Sequence, residues 1–441
     1  MLAKWPIVLA GVALPAAASR WSAAQVLLPG EPVADAHRPG QGVSAQAIFR
    51  VHAATFNAGN QEFDDNASWK KTLHKLIEGH EGTHLVLLGF QELYDGGLFR
   101  AQRLGAWVQE HLWRSWGSLG QHQRWEQRFD SGRICHRWRH YDTILYAFAA
   151  PSNLLSDFKI EPVQYSRSPW CKRDGNSTGC SVSLMGNRLE CGKVVNILVF
   201  DVKPNSGDTQ RVCLLNTHFS FEGKGLERAL ALEKAKEEAK FARCDSIIFV
   251  GDFNSRLHCV REDRTKKDRS LMQEHPRVTF DTFCDSNNCK LARKDAQYDE
   301  MNQLLSQKYI NCFEKEKSTW TSMSYTNPLL NSSSSTPDFR EPEVKGVEGL
   351  SFPPTYKVKQ SKRPADKGQN LSHFTLSPSR GFPGGTVTYV SDAEPKHNPG
   401  WTDRVLVSAK DWEAYSYSAL PLEDFESDHM PVVAEVALRM R

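Results

Sequence analysis

From residue 47 onward, the apolar positions of this 441-residue chain fall into short runs separated by polar punctuation. IFRVHAATFN (48–57) alternates as a strand does. LVLLGFQEL (85–93) is almost continuously apolar, the pattern of a strand buried on both faces. DTILYAFA (142–149), VVNILVFDVK (194–203), RVCLLNTHF (211–219) and SIIFVGDFN (246–254) repeat that type. DRVLVSA (403–409) and PVVAEVALR (431–439) close the series. Two stretches read as helices instead. SWKKTLHKLIEGH (68–80) sets Trp69, Leu73, Leu76 and Ile77 on one face. GLERALALEKAKEEAKFAR (225–243) is helical by composition, with mixed-sign charges for its exposed face. Strands with interspersed helices predict one α/β domain of packed layers over residues 47–441.

The remaining segments lack either period. MLAKWPIVLAGVALPAAAS (1–19) has one lysine, an apolar core and a small-residue end, and resembles a secretory signal peptide. The alternative is an Ala-rich leader with no targeting role. The first reading places the protein on a secretory or endomembrane route, and the second in the cytoplasm or at a membrane surface. Residues 20–46 are Ala-, Pro- and Gly-rich and read as a linker. Residues 259–295 and 318–348 read as insertions, and 359–385 as a third polar loop. SRSPWCKR (166–173) surrounds Trp170 with Arg167, Lys172 and Arg173, a pattern suited to a membrane interface or to a partly buried loop.

Composition narrows the function. A formal charge of +3 is near neutral for this length, so no nucleic-acid partner is expected from overall charge. None of the ten cysteines forms a C-x-x-C zinc pair, and Cys213, inside an apolar strand, reads as a buried thiol. Sequons at Asn66, Asn176, Asn331 and Asn370 permit glycosylation if the chain is exported.

The informative residues lie where the apolar runs end. Asn57 ends one strand, Gln91 and Glu92 another, Asn216 and His218 a third, and Asp252 and Asn254 a fourth. Asp403 and Arg404 open a strand, and Asp428 and His429 precede the last. A single Asp or Asn after a strand is ordinarily a turn residue. Six such ends in one chain point to chemistry instead. Carboxylate and amide oxygens favour a hard cation, Mg²⁺ above zinc. Mg²⁺ favours phosphate oxygens as partners. Hydrolysis then needs a base for water, which Asp252 supplies with Asn254 beside it. It also needs positive charge on the phosphoryl oxygens, for which His218 and His429 are the candidates. An Asp403–His429 pair would hold the imidazole protonated. No G-x-S-x-G, P-loop or HExxH motif is present.

In order, FNAGN, GFQE, NTHF, GDFNSRL, PGWTDRVL and SDHMPV resemble the endonuclease/exonuclease/phosphatase superfamily. GDFNSRL, NPGWTDRVL and LSFPPTYKV (350–358) are similar to motifs of the inositol polyphosphate 5-phosphatases. The resemblance implies a DNase-like four-layer sandwich, two mixed β-sheets packed face to face and flanked by helices. It implies Mg²⁺-dependent removal of the 5-phosphate from phosphoinositide lipids or soluble inositol polyphosphates, with peripheral membrane contact where the substrate is a lipid. It makes Glu92 the main Mg²⁺ ligand with Asn57 beside it, and has Asp428 support the metal site. Asp252 would activate water, Asn254 bind the scissile phosphate, and His218 and His429 stabilise the transition state, with Asp403 orienting His429. Tyr356 and Lys357 would grip a neighbouring ring phosphate, joined by Lys396 and Lys193. Arg404 falls in the substrate pocket, where the resemblance has it brace through ion pairs, as does Arg256. The chain departs from the family pattern at Ser255, where an aromatic is common, and at His397, where an arginine is common. Two other readings stand beside this one: a nuclease or sphingomyelinase-like phosphodiesterase, and a non-catalytic lipid-binding protein of the same fold.

Overall fold

The computed structural model describes residues 46–94 (save 60, 62, 64 and 65), 98–116, 123–130, 140–163 (save 152), 183–184, 187–188, 195–219, 225–255, 258–259, 273–274, 299–306, 338–344, 352–359, 370–376, 385–391, 399–422 and 427–440. Residues 1–45 and most of the expected insertions lie outside them, as do the Trp170 segment, Lys193, Arg256, Lys396 and His397. The compact unit spans Gln46–Arg441.

Its larger elements, in chain order, are β1 (Ala47–Asn57), α1 (Ala67–Ile77), β2 (Leu85–Tyr94), α2 (Leu98–Ser115), β3 (Arg124–Asp130), β4 (His140–Ala149), β5 (Phe158–Val163), β6 (Val195–Pro204), β7 (Gln210–His218), α3 (Gly225–Phe241), β8 (Ser246–Asp252), α4 (Glu300–Ser306), β9 (Asn370–Leu376), β10 (Gly385–Ser391), β11 (Asp403–Ser408), β12 (Trp412–Ala419) and β13 (Val432–Met440). One sheet has six strands in the order β12-β13-β1-β2-β4-β3, and the other five in the order β11-β8-β7-β6-β5. Each contains a parallel pair, β1 with β2 and β7 with β8, crossed over by α1 and α3 respectively. The other pairings within the two sheets are antiparallel.

Three apolar layers make this a four-layer sandwich. Between the sheets lie Phe49, Val51 and Ala53 of β1, Leu85 and Leu87 of β2, Val212 and Leu214 of β7, and Ile248 and Val250 of β8. On the outer face of the six-stranded sheet, Phe56, Leu88 and Phe90 meet Trp69, Leu73 and Leu76 of α1 and Leu104, Val108 and Leu112 of α2. On the outer face of the other sheet, Leu215, Ile247 and Phe249 meet Leu232, Ala235 and Ala239 of α3. The DNase-like sandwich is therefore the fold. The i, i+4 spacing of the helical residues and the period of two in the strands are what allow one sequence to serve both faces of each sheet. Asn66 caps α1, its side chain accepting from the Trp69 amide at 3.0 Å. Among the described residues, no helix is long and apolar enough to cross a membrane.

One expectation is overturned. Cys213 is not a thiol but is joined to Cys244 in a disulfide, across 31 residues of sequence. The α3 crossover returns the chain beside β7, where the Asp245 amide donates to the Arg211 carbonyl at 2.8 Å. That return brings the two Cα atoms to 5.8 Å, within bonding range.

The inner stripe of each central strand turns polar at the same end. Thr55 and Asn57 follow Ala53, Gln91 follows Leu87 and Gly89, Asn216 and His218 follow Leu214, and Asp252 follows Val250. None of these six polar groups is more than 2% exposed. Buried polar groups of this kind need partners, and they find them across the sandwich.

Candidate active site

Four polar bridges cross between the sheets at this end. Asn57 Nδ2 donates to Asp252 Oδ2 at 2.9 Å. Gln91 Nε2 donates to Asn216 Oδ1 at 2.6 Å. Thr143 Oγ1 donates to Asn196 Oδ1 at 3.0 Å. His218 Nε2 lies 3.3 Å from Glu92 Oε1 and 3.5 Å from Asp252 Oδ2. Period alone would turn Glu92 away from the sandwich interior. Its φ of +49° breaks the strand geometry and re-aims it. Asn254 has the same φ, +49°. Its amide donates to Asp252 Oδ1 at 2.8 Å, and its side-chain nitrogen to the Phe219 carbonyl at 2.8 Å. Two left-handed non-glycine residues flanking one cluster are a cost that functional sites carry.

The second half of the site comes from the C-terminal third. Asp403 pairs in register with Asp252. His429 Nδ1 donates to Asp403 Oδ2 at 2.9 Å, and Thr402 Oγ1 donates to the same oxygen at 2.8 Å. Ser427 Oγ donates to the Asn57 carbonyl at 2.6 Å and accepts from the His429 amide at 3.1 Å, tying the two halves together. The Tyr356 ring lies 4.8 Å from that of His429, and the Tyr356 and Gly400 backbones bond reciprocally at 3.0 and 2.8 Å. The Val358 amide donates to the Asp428 carbonyl at 2.8 Å. Residues 354–358, 399–403 and 427–429, far apart in sequence, thus share one rim.

Electrostatics separates the roles. Burial pushes the Asp252 carboxyl up to about 6, against the His429 charge and the hydrogen bonds from Asn57 and Asn254. Burial would lower the His429 imidazole, but the carboxylates of Asp403, Asp252 and Asp428 outweigh it and raise the group to about 10. One group is a base near neutrality and the other an imidazolium.

A buried group of Asp252, Asp403 and His429 could hold a metal ion, with one ligand atom from each lying within 4.8 Å of the others. The proton held on His429 disfavours it as a ligand. The oxygens fit better. Asp403 Oδ1 is buried with no hydrogen-bond partner among the described residues. Asp252 adds oxygens in the same group, and the Glu92 carboxylate lies across His218 from it, a set of oxygens suited to a hard divalent cation. The Glu92 side chain is 29% exposed and that of Asp428 28%, so both can be reached from solvent.

Not every expected site residue joins the cluster. Arg404 is fully buried, with its guanidinium 2.6 Å from Asp299 and hydrogen-bonded to Glu341 and the Trp401 carbonyl. Burial alone would lower it, but the two carboxylates hold it raised. Arg404 thus has the bracing position that the resemblance implies, fixing residues 299 and 341 to β11, and its complete burial corrects its placement among substrate-contacting residues. Lys357 is half-buried, and its carbonyl accepts from the Val390 amide at 3.0 Å. Lys193 and Lys396 are outside the described residues. Thr402, Ser427 and Thr355 were not foreseen. Each lies within two residues of a predicted site residue, which is the one signal that could have found them.

Residues 54–429 match the model of the endonuclease/exonuclease/phosphatase family. The chain belongs to this family. Its fold is similar to that of the inositol polyphosphate 5-phosphatase domain of SPsynaptojanin, solved with inositol (1,4)-bisphosphate and calcium ion. The TM-score is 0.50 and the identity 16%, over 89% of this chain and 85% of that one. Cimex nitrophorin in its ferrous NO complex matches at 14% identity and a TM-score of 0.44, over 90% of this chain and 100% of that one. TDP2 of D. rerio with a single-strand DNA product matches at 11% identity and a TM-score of 0.36, over 89% and 99%. No match to a curated protein was found. Membership in this family of hydrolases accords with a cluster that pairs a buried base with a fixed cation at the mouth of the sandwich.

Proposed function

We propose that the protein is a Mg²⁺-dependent phosphomonoesterase that removes the 5-phosphate of phosphoinositides or soluble inositol polyphosphates. The observation that carries the reading is one buried cluster in which Asp252, hydrogen-bonded by Asn57 and the Asn254 amide, faces His429, hydrogen-bonded to Asp403; burial raises the first and, against burial, the carboxylates raise the second. At pH 7–8 the first can accept a proton and the second stays charged. Water attacks phosphorus and its proton passes to Asp252 as the bond from phosphorus to the ring oxygen breaks; the departing ring oxygen takes a proton from solvent, and Asp252 returns its own to solvent to complete the cycle. Asn254, hydrogen-bonded to Asp252, positions the phosphate. His429 and His218 offset charge on the phosphoryl oxygens, and Asp403 fixes the His429 ring. Glu92, Asn57 and Asp428 are the residues that would hold a divalent cation, which would supply Lewis-acid polarisation of the phosphoryl group.

The choice of an inositol ring rests on residues 352–358. This segment carries the Pro-Pro-Thr-Tyr-Lys motif and is stitched to both the Gly400 and the His429 rims. Tyr356 and Lys357 would contact a second ring phosphate in this reading. The test is phosphate release with Mg²⁺ from 4,5-bisphosphorylated and 5-monophosphorylated lipids and soluble inositol phosphates, with Asp252→Ala as control. Release restricted to 5-phosphates and lost in the variant is expected. Cleavage of DNA or of a phosphodiester lipid instead would overturn the proposal in favour of a phosphodiesterase.

A further inference from the structure

We infer that Gln91 and Asn216, which touch neither substrate nor metal, are positioning residues that set the distance between Glu92 and His218; the inference rests on the reading of Glu92 as metal ligand given above. Asn216 sits on the inner face of β7, fully buried, and its side chain crosses the sandwich. Its Nδ2 donates to the Phe90 carbonyl at 3.2 Å and to the Ile144 carbonyl at 3.0 Å, and its Oδ1 accepts from Gln91 Nε2 at 2.6 Å. Both amide protons and the oxygen are therefore engaged. Gln91 Nε2 also donates to Thr55 Oγ1 at 3.1 Å, which fixes its rotamer. One side chain thus binds three strands, β2, β4 and, through Gln91 and Thr55, β1.

Position along the strands gives the clasp its consequence. Glu92 follows Gln91 directly, and His218 lies two residues beyond Asn216 on the same face. The Glu92–His218 approach of 3.3 Å and the Gln91–Asn216 bond of 2.6 Å close a ring between the sheets. Glu92 holds its left-handed φ only while the backbone on either side is fixed, and Asn216 grips that backbone at Phe90. Space for the crossing exists because residue 89 is glycine. A Cβ there would come within 2.6 Å of both Asn216 Oδ1 and Val250 Cγ2.

The test is the double variant Gln91→Met/Asn216→Leu, which replaces both amides of the pair by apolar groups of similar size. Thr55→Val, which removes the support of Gln91 alone, is the milder companion should the double variant not fold. Mn²⁺ affinity is measured by calorimetry on the full chain without substrate, together with kcat, KM and the melting temperature. Outer-shell residues of metal sites typically contribute ~10–100-fold in affinity or activity. Mn²⁺ binding and kcat are each expected to fall about tenfold or more in the double variant, and by less in Thr55→Val, with KM little changed. Wild-type metal affinity and kcat in a folded variant would overturn the inference and leave the clasp a structural bridge. If the wild type neither binds Mn²⁺ nor releases phosphate, the functional reading above fails, and this inference fails with it, by a result the variants do not affect.

Discussion

Asp252 is buried beside a second carboxylate, Asp403, in a position where folding alone would prefer neither charge. Its carboxyl is raised to about 6 by burial. A raised acid binds its proton more tightly when folded, so its contribution to stability is full below the unfolded value and is lost as pH rises through 6. At pH 8 the ionised group therefore opposes folding, and Asp252→Asn should stabilise the metal-free protein by on the order of 1–3 kcal/mol. The same change removes the base, and kcat should fall roughly 10²–10⁴-fold. Thermal unfolding in chelator beside phosphate-release kinetics checks both halves, and a variant that is active or destabilised would contradict the assignment. Asp403→Asn removes the largest influence that raises His429 against its burial. The alkaline limb of kcat/KM, near pH 10 in the wild type, should then move toward neutrality. An unmoved limb would mean that His429 is not the acid it reports.

At the scale of elements, the α3 crossover is held at both ends, by the parallel pairing of β7 with β8 and by the Cys213–Cys244 disulfide. Closing a loop of 31 residues removes chain entropy worth about 3–4 kcal/mol in the unfolded state. Cys213→Ala/Cys244→Ala should therefore lower the melting temperature by several degrees, with kcat unchanged at 25 °C, because neither sulfur lies at the polar end of the sheet. Equal melting temperatures, with and without reductant, would show the bond to be absent in solution. This pairing could not be read from the sequence. A helix separates the two cysteines, and only its length and packing bring Cys244 back to β7. The central strands were legible for the opposite reason: burial on both faces makes their apolar runs continuous. The edge strands β5 and β12 were not legible. β12 is Trp-Glu-Ala-Tyr-Ser-Tyr-Ser-Ala, mostly half-exposed, and its weak period reflects a strand that covers the core with one face only. In α2, the stripe of Leu104, Val108 and Leu112 is interrupted by Gly105 and Ala106 and then by Gln109, Glu110 and His111, which dilute it.

Over the whole molecule, the site and the core place opposite demands on pH. His52 and His84 are lowered to about 4 by burial. His52 Nε2 bonds the Leu76 carbonyl at 2.7 Å, and His84 Nδ1 accepts from the Arg50 amide at 2.9 Å, which an imidazolium could not do. A lowered histidine resists protonation when folded, so stability is lost as pH falls from 6.5 toward 4. Asp252, raised to about 6, and Glu341, raised by burial to about 7, work the other way and weaken the fold as pH rises. His429 joins them, since stability from a raised histidine is lost as pH climbs toward 10. The polar strand ends announced this tension in the sequence, but which of them would be partnered and which strained depended on the face each occupies once the sheets meet. Between about pH 4.5 and 6 the two histidines and the two carboxylates nearly cancel, so the melting temperature in chelator should change little there, be highest near pH 6.5, and decline above pH 7 as His429 nears its own value. A cation bound among Glu92, Asn57 and Asp252 offsets the alkaline decline, because it competes with the proton for the same oxygens. Mg²⁺ should therefore raise the melting temperature more at pH 8 than at pH 5. A shift of equal size at both pH values would place the cation away from Asp252, and a melting temperature in chelator that keeps rising above pH 7 would mean that His429 is not held as a raised imidazolium.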